Sequence, residues 1–235
     1  MKIAIGIATS GRHAILNRTI ELLAQQSLLP DLVIICPTEQ ADVAPEIETI
    51  TVFPVLVITA PRGLPRQRNA ILAASHGMDA VIFIDDDFFL DRTYVTHAVA
   101  LLDQNPDVVL ATGTLIEDGI HGPGLEPDYA ARQLDDHARL VPQTADLMPY
   151  YGVYGCNMVV RLDAVRRLGA RFDERLPLYA WQEDIDFSRQ LAPAGRIVKT
   201  ETLCGIHLGS KRGRTSGVRL GYSQVAPSDQ YAARV

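Results

Sequence analysis

The stretch VIFIDDDFFL, residues 81–90, combines a strand-like apolar run with three consecutive acids. Four apolar residues precede Asp85, Asp86 and Asp87, and three apolar residues follow them. Ionised carboxylates that lie ~4 Å apart repel one another by about 1 kcal/mol even in water. Three carboxylates between two apolar runs therefore need either full solvation or a positively charged partner.

Apolar runs of the same kind recur through the first 113 residues and alternate with helical patterns. The expected strands are residues 2–8, 32–36, 55–59, 80–84 and 108–112. Helices are expected after Thr9 and Ser10, within residues 61–77, and after Asp91, with the polar residues as caps. Continuous apolar strands that alternate with helices predict an α/β fold whose mostly parallel sheet is covered on both faces.

The second half of the chain has a different pattern. Residues 114–149 are loop-rich, and we expect them to form an irregular excursion that covers a site. The elements expected beyond it are a strand at 154–160, helices at 162–168 and 181–191, and short strands at 196–199 and 203–207.

Composition limits the class of protein. The 235 residues carry a formal net charge of −6, which argues against a general nucleic-acid binder. Cys36, Cys156 and Cys204 lie in apolar contexts and are expected to be buried free thiols, which fits a reducing cytosol. The N-terminus lacks a signal-peptide pattern, and the longest apolar run, residues 52–60, is too short to span a bilayer. Any membrane contact would therefore be peripheral.

The charge is unevenly distributed along the chain. Residues 207–235 contain five basic residues and one acid: Lys211, Arg212, Arg214, Arg219, Arg234 and Asp229. A basic tail on an acidic body suggests an anionic ligand or an anionic membrane surface.

The three consecutive aspartates suit a metal site. Side chains alternate along an extended chain, so Asp85 and Asp87 are expected to face one way and Asp86 the other. Ligands of open α/β sheets bind where the parallel strands end, and carboxylates with phosphates are the usual ligands of Mg²⁺. The alternative is a solvated acidic turn before the next helix. In the metal-binding interpretation Asp86 has a supporting role and should tolerate asparagine best.

The segment PRGLPRQRN, residues 61–69, brings three arginines to the start of a predicted helix. Guanidinium groups and free backbone N–H groups at a helix start suit a phosphate or a carboxylate. The alternative is a surface loop whose arginines are solvated.

The segment YAWQEDIDFSRQL, residues 179–191, places Glu183, Asp184 and Asp186 beside the only tryptophan of the chain. Acids in a first helical turn are common because they interact favourably with the helix dipole. The functional alternative is a general base next to an aromatic platform for a sugar ring.

His207 follows an apolar strand and precedes the basic loop GSKRGRTSG. A single histidine can be a structural residue or a ligand. Here Lys211, Arg212 and Arg214 follow closely and could close over phosphates, so both interpretations stay open.

Taken in order, these segments resemble the family 2 glycosyltransferases, which have the GT-A fold. The resemblance covers roughly residues 1–210. It rests on the TSGR opening, RQRNAIL, IDDDF, GCNM followed by FDERLPLYAWQEDIDF, and a late histidine. The block from FDE to QEDIDF looks like bacterial members that build exopolysaccharide or cell-surface polysaccharide. The resemblance implies one GT-A domain with a nucleotide-sugar-binding half (1–113), an acceptor-binding and catalytic half (114–210) and a basic flexible tail (211–235).

The resemblance implies a role for each matching residue. Nucleotide contacts are implied for Thr9, Arg12, Arg68, Asn69, Asp85 and Asp86, with cationic contacts from Lys211, Arg212 and Arg214. Asp87, Asp85 and His207 are implied to be ligands of a divalent metal ion, Mg²⁺ or Mn²⁺. The implied catalytic base is Asp184, and acceptor contacts are expected from Tyr179, Trp181, Glu183 and Asn157.

One segment departs from the family pattern. Many relatives have an acidic Asp-Asp-Gly-Ser turn after the second strand, where this chain reads CPTEQADV. In those relatives the turn contacts the base and the ribose, and Glu39 or Asp42 could take over this role here. A UDP-sugar is the favoured donor.

The resemblance implies glycosyl transfer from a nucleotide-diphosphate sugar to a saccharide or lipid-linked saccharide, with inversion at the anomeric carbon. The expected location is the cytoplasm, at or near the inner face of the plasma membrane, and a homodimer is compatible with the sequence. A sugar-1-phosphate nucleotidyltransferase is one alternative, although ATSGRHAILN has a single glycine where that class carries a glycine-rich loop. A non-catalytic nucleotide- or sugar-binding subunit of a polysaccharide assembly complex is the other.

Overall fold

A computed structural model describes residues 1–138, 140–142, 144–176, 180–211 and 222, with only the backbone of Glu48. The strands in these ranges are β1 (Ile3–Thr9), β2 (Leu32–Pro37), β3 (Val55–Val57), β4 (Ala80–Asp85), β5 (Phe88–Leu90), β6 (Val108–Asp118), β7 (Met148–Pro149), β8 (Asn157–Arg161) and β9 (Arg196–His207). The α-helices are α1 (His13–Leu23), α2 (Leu64–Ala74), α3 (Tyr94–Gln104), α4 (Pro127–His137), α5 (Leu162–Leu168) and α6 (Glu183–Leu191). No described helix has both the length and the apolar character needed to cross a membrane.

The strands form one mixed sheet in the order β3-β2-β1-β4-β8-β6-β9-β5, and β7 also pairs with β9. The pairs β1–β2, β2–β3, β1–β4 and β6–β9 are parallel. Strand β8 runs antiparallel to both β4 and β6, and β5 and β7 run antiparallel to β9. The longest ladders are parallel, so the predicted mostly parallel α/β sheet is confirmed.

The connection between β4 and β5 requires the sheet to curl. Strand β4 lies near the middle of the sheet order and β5 at its end, four strand positions away. Four spacings in a flat sheet would measure about 19 Å. Only Asp86 and Asp87 join the two strands, and a step of three residues spans at most about 11 Å. The sheet therefore bends until its last strands return towards β4.

The helices cover both faces of this sheet. Ile3, Ile5 and Ile7 of β1 pack with α1 and α3 in one buried cluster. Ala4 of β1 belongs to a second cluster on the opposite face, together with apolar residues of α2, α5 and α6. The continuous apolar run in β1 thus reflects burial of both faces, as predicted. Cys36, Cys156 and Cys204 are buried and free, which confirms their predicted state.

Two predicted helix caps are wrong. Helix α1 begins after Arg12 rather than after Thr9 or Ser10, because the side chain of Thr9 is directed to Asp86. Helix α3 begins after Thr93, and Asp91 instead accepts hydrogen bonds from the backbone and hydroxyl of Thr93.

The predicted irregular excursion over 114–149 is also corrected. Strand β6 continues to Asp118 because its second part pairs with the end of β9, and α4 follows at Pro127–His137. The two short strands expected at 196–199 and 203–207 are one strand, β9. Strand β5 was not expected, and it explains the apolar residues Phe88–Leu90 after the aspartates.

Gly205 allows β9 to approach β5 closely. A Cβ atom at this position would lie 2.5 Å from the backbone oxygen of Phe89 and 2.5 Å from the ring of Phe88. Gly205→Ala should lower the free energy of unfolding by about 1–3 kcal/mol, because the backbone oxygen cannot rotate away. The corresponding fall in Tm is roughly 2–4 °C per kcal/mol for a chain of this size.

Gly122→Ala is the matched control, because a Cβ there meets no atom within 4 Å and its φ is −118°. Thermal unfolding of the two variants beside the parent checks the effect. Equal Tm values for Gly205→Ala and Gly122→Ala would contradict the proposed close approach.

Candidate active site

The β4–β5 connection brings two of the three aspartates to His207. Phe88 pairs with His207 in the β5–β9 ladder, so the last residue of β9 lies beside the aspartate turn. The Nε2 atom of His207 lies 3.5 Å from Asp87 Oδ1 and 4.0 Å from Asp85 Oδ2. One ligand atom from each of these residues lies within 4.8 Å of the other two.

The donor set fits a divalent cation. Asp87 is 1% exposed, and its Oδ1 atom is buried without a hydrogen-bond partner among the described residues. Its other oxygen, Oδ2, accepts a hydrogen bond of 2.8 Å from the backbone N–H of Ser210. A buried carboxylate oxygen without a donor is costly, and a cation between Asp85, Asp87 and His207 would satisfy it. Mg²⁺ or Mn²⁺ would be held by these three side chains.

Asp118 orients the imidazole of His207. Its Oδ1 atom lies 2.8 Å from His207 Nδ1, so the Nε2 atom faces Asp85 and Asp87. Burial opposes protonation of His207, but the hydrogen bond with Asp118 and the nearby charges of Asp87 and Asp85 raise its pKa to about 10. Such a carboxylate contact on the far nitrogen is the usual arrangement of a metal-binding histidine.

Asp86 faces away from this cluster and anchors the turn. It is fully buried and accepts hydrogen bonds from the Thr9 hydroxyl at 2.6 Å and from Arg12 Nε at 3.2 Å. Arg12 also forms an ion pair with Asp86 through Nη2 and lies 3.1 Å from Asp87 Oδ2 through Nη1. Burial raises the pKa of Asp86 to about 7, and the guanidinium of Arg12 opposes this shift.

Arg68 connects the aspartate turn to α6. Its guanidinium is buried, lies 3.2 Å from Asp85 Oδ1 through Nη2, and forms an ion pair with Glu183 through Nη1. The same Nη2 group donates a hydrogen bond of 2.7 Å to the backbone oxygen of Gly155. A Cβ atom at Gly155 would lie 3.1 Å from Asp184 and 3.2 Å from Arg68, so this position favours glycine.

Glu183 and Asp184 begin α6 and have different surroundings. Glu183 is 5% exposed, and its Oε2 atom is buried without a hydrogen-bond partner among the described residues. Burial raises the pKa of Glu183 to about 8, against the charge of Arg68. Asp184 accepts 2.8 Å hydrogen bonds from the N–H groups of Gly155 and Ile185, yet burial still raises its pKa.

These groups line one cavity of about 490 Å³. Asp85, Asp87 and His207 form the candidate metal-binding side of this cavity, and Glu183 and Asp184 lie at its α6 side. The remaining wall includes three aromatic residues: Tyr150, Tyr154 and Trp181. The cavity can therefore accommodate a cation with anionic groups and, next to them, a ligand facing carboxylates and aromatic rings.

The structure brings together eight of the thirteen sequence-predicted site residues that it describes. Those that line the cavity are Arg12, Arg68, Asp85, Asp87, Trp181, Glu183, Asp184 and His207. Lys211 is exposed and donates a hydrogen bond of 2.7 Å to the backbone oxygen of Ile120, which lines the cavity. Tyr179, Arg212 and Arg214 lie outside the described residues, so their expected roles stay predictions.

Four residues that are predicted to contact ligands form hydrogen bonds within the protein. Thr9 and Asp86 bond to each other beneath the cavity. Asn69 exchanges hydrogen bonds with the backbone of Phe172, and Asn157 accepts one from the hydroxyl of Tyr94. None of these four lines the cavity, because each is directed into the packing between elements.

Asp42 is also engaged in the protein's own structure. Its carboxylate accepts hydrogen bonds from Gly11 N–H at 2.6 Å, the Thr38 hydroxyl at 2.6 Å and Glu39 N–H at 3.0 Å. These donors lower its pKa although burial raises it. Asp42 therefore stabilises the turn after β2, and of the two candidates there only the exposed Glu39 keeps a solvated side chain.

Sequence reasoning missed several residues of the site: Ser10, Asp118, Tyr150, Tyr154 and Gly155. Asp118 could have been found only by recognising that β6 continues beyond residue 112. The run YYGVYG at 150–155 carried a signal, because tyrosines separated by glycines are unusual in a plain connecting loop.

Comparison with known families identifies the class of protein. The family model described as Glycosyl transferase family 2 matches residues 4–169, more than half of the chain. The chain belongs to this family. No curated protein matches the sequence significantly.

Solved structures show that the fold is GT-A. S. aureus TarS 1–349 in complex with UDP-GlcNAc is 17% identical, with a TM-score of 0.67, and the match covers 99% of this chain and 64% of that one. The mannosyltransferase PcManGT from Pyrobaculum calidifontis, in complex with GDP-Man and Mn²⁺, is 15% identical, with a TM-score of 0.66 and coverages of 90% and 58%. GalNAc-T7 with UDP, GalNAc and Mn²⁺ is 14% identical, with a TM-score of 0.68 and coverages of 88% and 44%. The chain thus matches less than two thirds of the length of these proteins.

Asp118→Asn should weaken metal binding without unfolding the protein. The substitution removes the charge that holds the His207 imidazole, and loss of such a partner typically costs about 10–100-fold in metal affinity. Titration with Mn²⁺, with the free ion followed by electron paramagnetic resonance, measures the change. Asp163→Asn removes a comparable charge from an exposed position on α5 and should leave the Mn²⁺ affinity unchanged. Equal affinities for both variants would rule out the orienting role of Asp118.

Proposed function

We propose that the chain is an inverting, metal-dependent glycosyltransferase that moves a sugar from a nucleotide-diphosphate sugar to an acceptor hydroxyl. One observation carries the proposal. The cavity has the carboxylate–histidine cluster Asp85, Asp87 and His207 on one side and the carboxylate pair Glu183 and Asp184 on the other. A donor diphosphate and an acceptor hydroxyl need these two chemistries next to each other.

The metal-binding side is the proposed donor site. A bound Mg²⁺ or Mn²⁺ would supply positive charge against the leaving diphosphate. Arg12 lines the same part of the cavity, and Lys211, with Arg212 and Arg214 beyond it, would add cationic contacts. The complexes of TarS with UDP-GlcNAc and of PcManGT with GDP-Man support a nucleotide sugar, and a UDP-sugar is the favoured donor.

Asp184 is the proposed catalytic base. The acceptor oxygen forms a bond to the anomeric carbon while the bond from that carbon to the diphosphate oxygen breaks. The hydroxyl proton passes to Asp184, and the electrons of the broken bond leave with the nucleoside diphosphate. Burial raises the pKa of Asp184, which makes it a better proton acceptor than an exposed aspartate.

The proposed biological setting follows the family resemblance. We propose a role in bacterial exopolysaccharide or cell-surface polysaccharide synthesis, on a saccharide or lipid-linked saccharide acceptor. This places the protein in the cytoplasm, with peripheral contact at the inner face of the plasma membrane through the basic tail. Residues 1–113 would bind the donor and residues 114–210 would bind the acceptor, and a homodimer is compatible with this scheme.

Asp184→Asn should remove transfer but keep metal-dependent nucleotide binding. Loss of the base should lower kcat by about 10²–10⁴-fold, whereas the donor side of the cavity is unchanged. Release of nucleoside diphosphate from a UDP-sugar measures turnover, and the Tm shift with UDP and Mn²⁺ measures binding. Asp186→Asn is the control on the same helix, because Asp186 bonds to Gln190 and does not line the cavity. Near-parent turnover by Asp184→Asn would refute its assignment as the base.

Chelation should stop the reaction and abolish donor binding. EDTA removes the cation that the buried carboxylates need, and Mg²⁺ or Mn²⁺ should restore turnover. A thermal-shift panel of nucleotide sugars with and without Mn²⁺ should show one donor whose stabilisation depends on the metal, since ligands that bind the native state raise Tm by mass action. Full donor hydrolysis in EDTA would exclude the metal role, and metal-dependent binding without any hydrolysis would favour a non-catalytic binding subunit.

A further inference from the structure

One arginine, Arg68 of α2, contacts acids on both sides of the cavity. Its side chain is 3% exposed, so the guanidinium lies inside the protein. The Nη2 atom lies 3.2 Å from Asp85 Oδ1, and Nη1 forms an ion pair with Glu183 Oε1. Arg68 therefore joins a candidate metal ligand directly to the first residue of α6.

Arg68 also reaches Asp184, through the backbone of Gly155. Its Nη2 atom donates a hydrogen bond of 2.7 Å to the Gly155 oxygen, and the Gly155 N–H donates one of 2.8 Å to Asp184 Oδ2. A Cβ atom at Gly155 would lie 3.1 Å from Asp184 and 3.2 Å from Arg68, so the two side chains enclose this peptide closely. A displacement of Arg68 would move the peptide whose N–H group holds Asp184.

The guanidinium of Arg68 is one permanent charge shared among three acids. Burial lowers its pKa, but the charges of Glu183, Asp85 and Asp184 raise it above the ordinary value, so the group stays protonated. The guanidinium carbon lies over the ring of Phe172, 5.5 Å from the ring centroid. The fold thus holds this charge between the acids without exposing it to solvent.

The sharing leaves both directly contacted acids incompletely compensated. Asp85 directs Oδ1 to Arg68, whereas its Oδ2 atom lies 4.0 Å from His207 Nε2 on the candidate metal-binding side. Glu183 is 5% exposed, and its Oε2 atom has no hydrogen-bond partner among the described residues. The two acids compete for one guanidinium, because a stronger interaction with one leaves less compensation for the other.

We propose that Arg68 is a positioning residue that couples Asp85 of the candidate metal-binding side to the acids of α6. When a cation compensates Asp85, Arg68 interacts more fully with Glu183 and shifts the Gly155 peptide that holds Asp184. Coupling between two sites is reciprocal, so the interaction of Glu183 with Arg68 also leaves Asp85 free for the cation. The inference rests on the proposed function and deepens it, since occupancy of the donor side then positions the proposed base.

A double-mutant cycle on Mn²⁺ affinity tests the coupling. The full-length parent, Glu183→Gln, Arg68→Lys and the double variant are titrated with Mn²⁺, and the free ion is followed by electron paramagnetic resonance. Glu183→Gln removes the charge that competes for Arg68, so Arg68 interacts more strongly with Asp85. The Mn²⁺ affinity should fall by about fivefold or more, as is typical of coupled sites.

Arg68→Lys keeps the charge but removes the planar fork that contacts two acids and a carbonyl oxygen at once. In this background Glu183→Gln should change the Mn²⁺ affinity by less than about twofold. A through-space effect of the lost charge would instead be equal in both backgrounds. Asp186→Asn is the control on α6, because Asp186 bonds to Gln190 and does not line the cavity, and its Mn²⁺ affinity should match the parent. Thermal unfolding shows whether each variant is folded.

A second measurement needs no substitution at Arg68. The side-chain carboxylate ¹³C resonance of Glu183, identified by its absence from Glu183→Gln, should shift when Mg²⁺ is added to the parent. Mg²⁺ is used here because it is diamagnetic. The resonance of Glu21, an exposed acid of α1 that pairs with Arg18, is the control and should stay in place.

The outcomes separate this inference from the proposed function. The coupling would be overturned by absent Mn²⁺ binding in the parent, by equal effects of Glu183→Gln in both backgrounds, or by a Glu183 resonance that does not respond to Mg²⁺. A coupled cycle without hydrolysis of any nucleotide sugar would support the coupling and refute the transferase. Hydrolysis of a nucleotide sugar together with an additive cycle would keep the transferase and refute the coupling.

Discussion

The two-residue connection between β4 and β5 is the constraint on which the site depends. It joins the middle of the sheet to its last strand, so the sheet must curl and the end of β9 must return to the aspartates. Asp86 stabilises this connection by accepting hydrogen bonds from Thr9 and Arg12. The curl of the sheet therefore also brings together the candidate metal-binding residues Asp85, Asp87 and His207.

Charge balance explains why four carboxylates can line one cavity while a fifth, Asp86, lies buried beneath it. Asp85, Asp86, Asp87, Glu183 and Asp184 are opposed by two guanidinium groups and one imidazole: Arg12, Arg68 and His207. Buried charges are tolerated only when they are paired, and removing one partner is costly. Arg68 contacts both the aspartate turn and Glu183, so the position of the metal-binding side is coupled to that of α6. A cation at Asp85 would draw on a carboxylate that Arg68 already holds, which would link the proposed donor side of the cavity to its proposed acceptor side.

The sequence predicted those features that follow from local patterns. Asp85 and His207 end apolar strands, and Asp87 lies two residues beyond Asp85. Such strand ends meet at one edge of an α/β sheet. Asn69 and Asn157 form hydrogen bonds with Phe172 and Tyr94, which are too distant in sequence for a local pattern to predict these contacts. Asp118 was missed for the same reason, since the pairing of β6 with β9 over a long sequence separation extends that strand.

Asp86 shows how tertiary contacts can reverse an expectation drawn from alternation. Because alternation directs Asp86 away from the candidate metal site, the sequence suggested that Asp86 would tolerate asparagine best of the three aspartates. Its two oxygens, however, receive hydrogen bonds or ion pairs from Thr9 and Arg12 in a fully buried setting. An asparagine would direct an N–H₂ group at one of these donors, and the largely buried guanidinium of Arg12 would keep only Asp87 as a counter-charge. Asp86 faces away from the candidate metal site, yet it stabilises the turn that positions Asp85 and Asp87. Its contacts therefore argue that substitution by asparagine is more damaging at Asp86, not less.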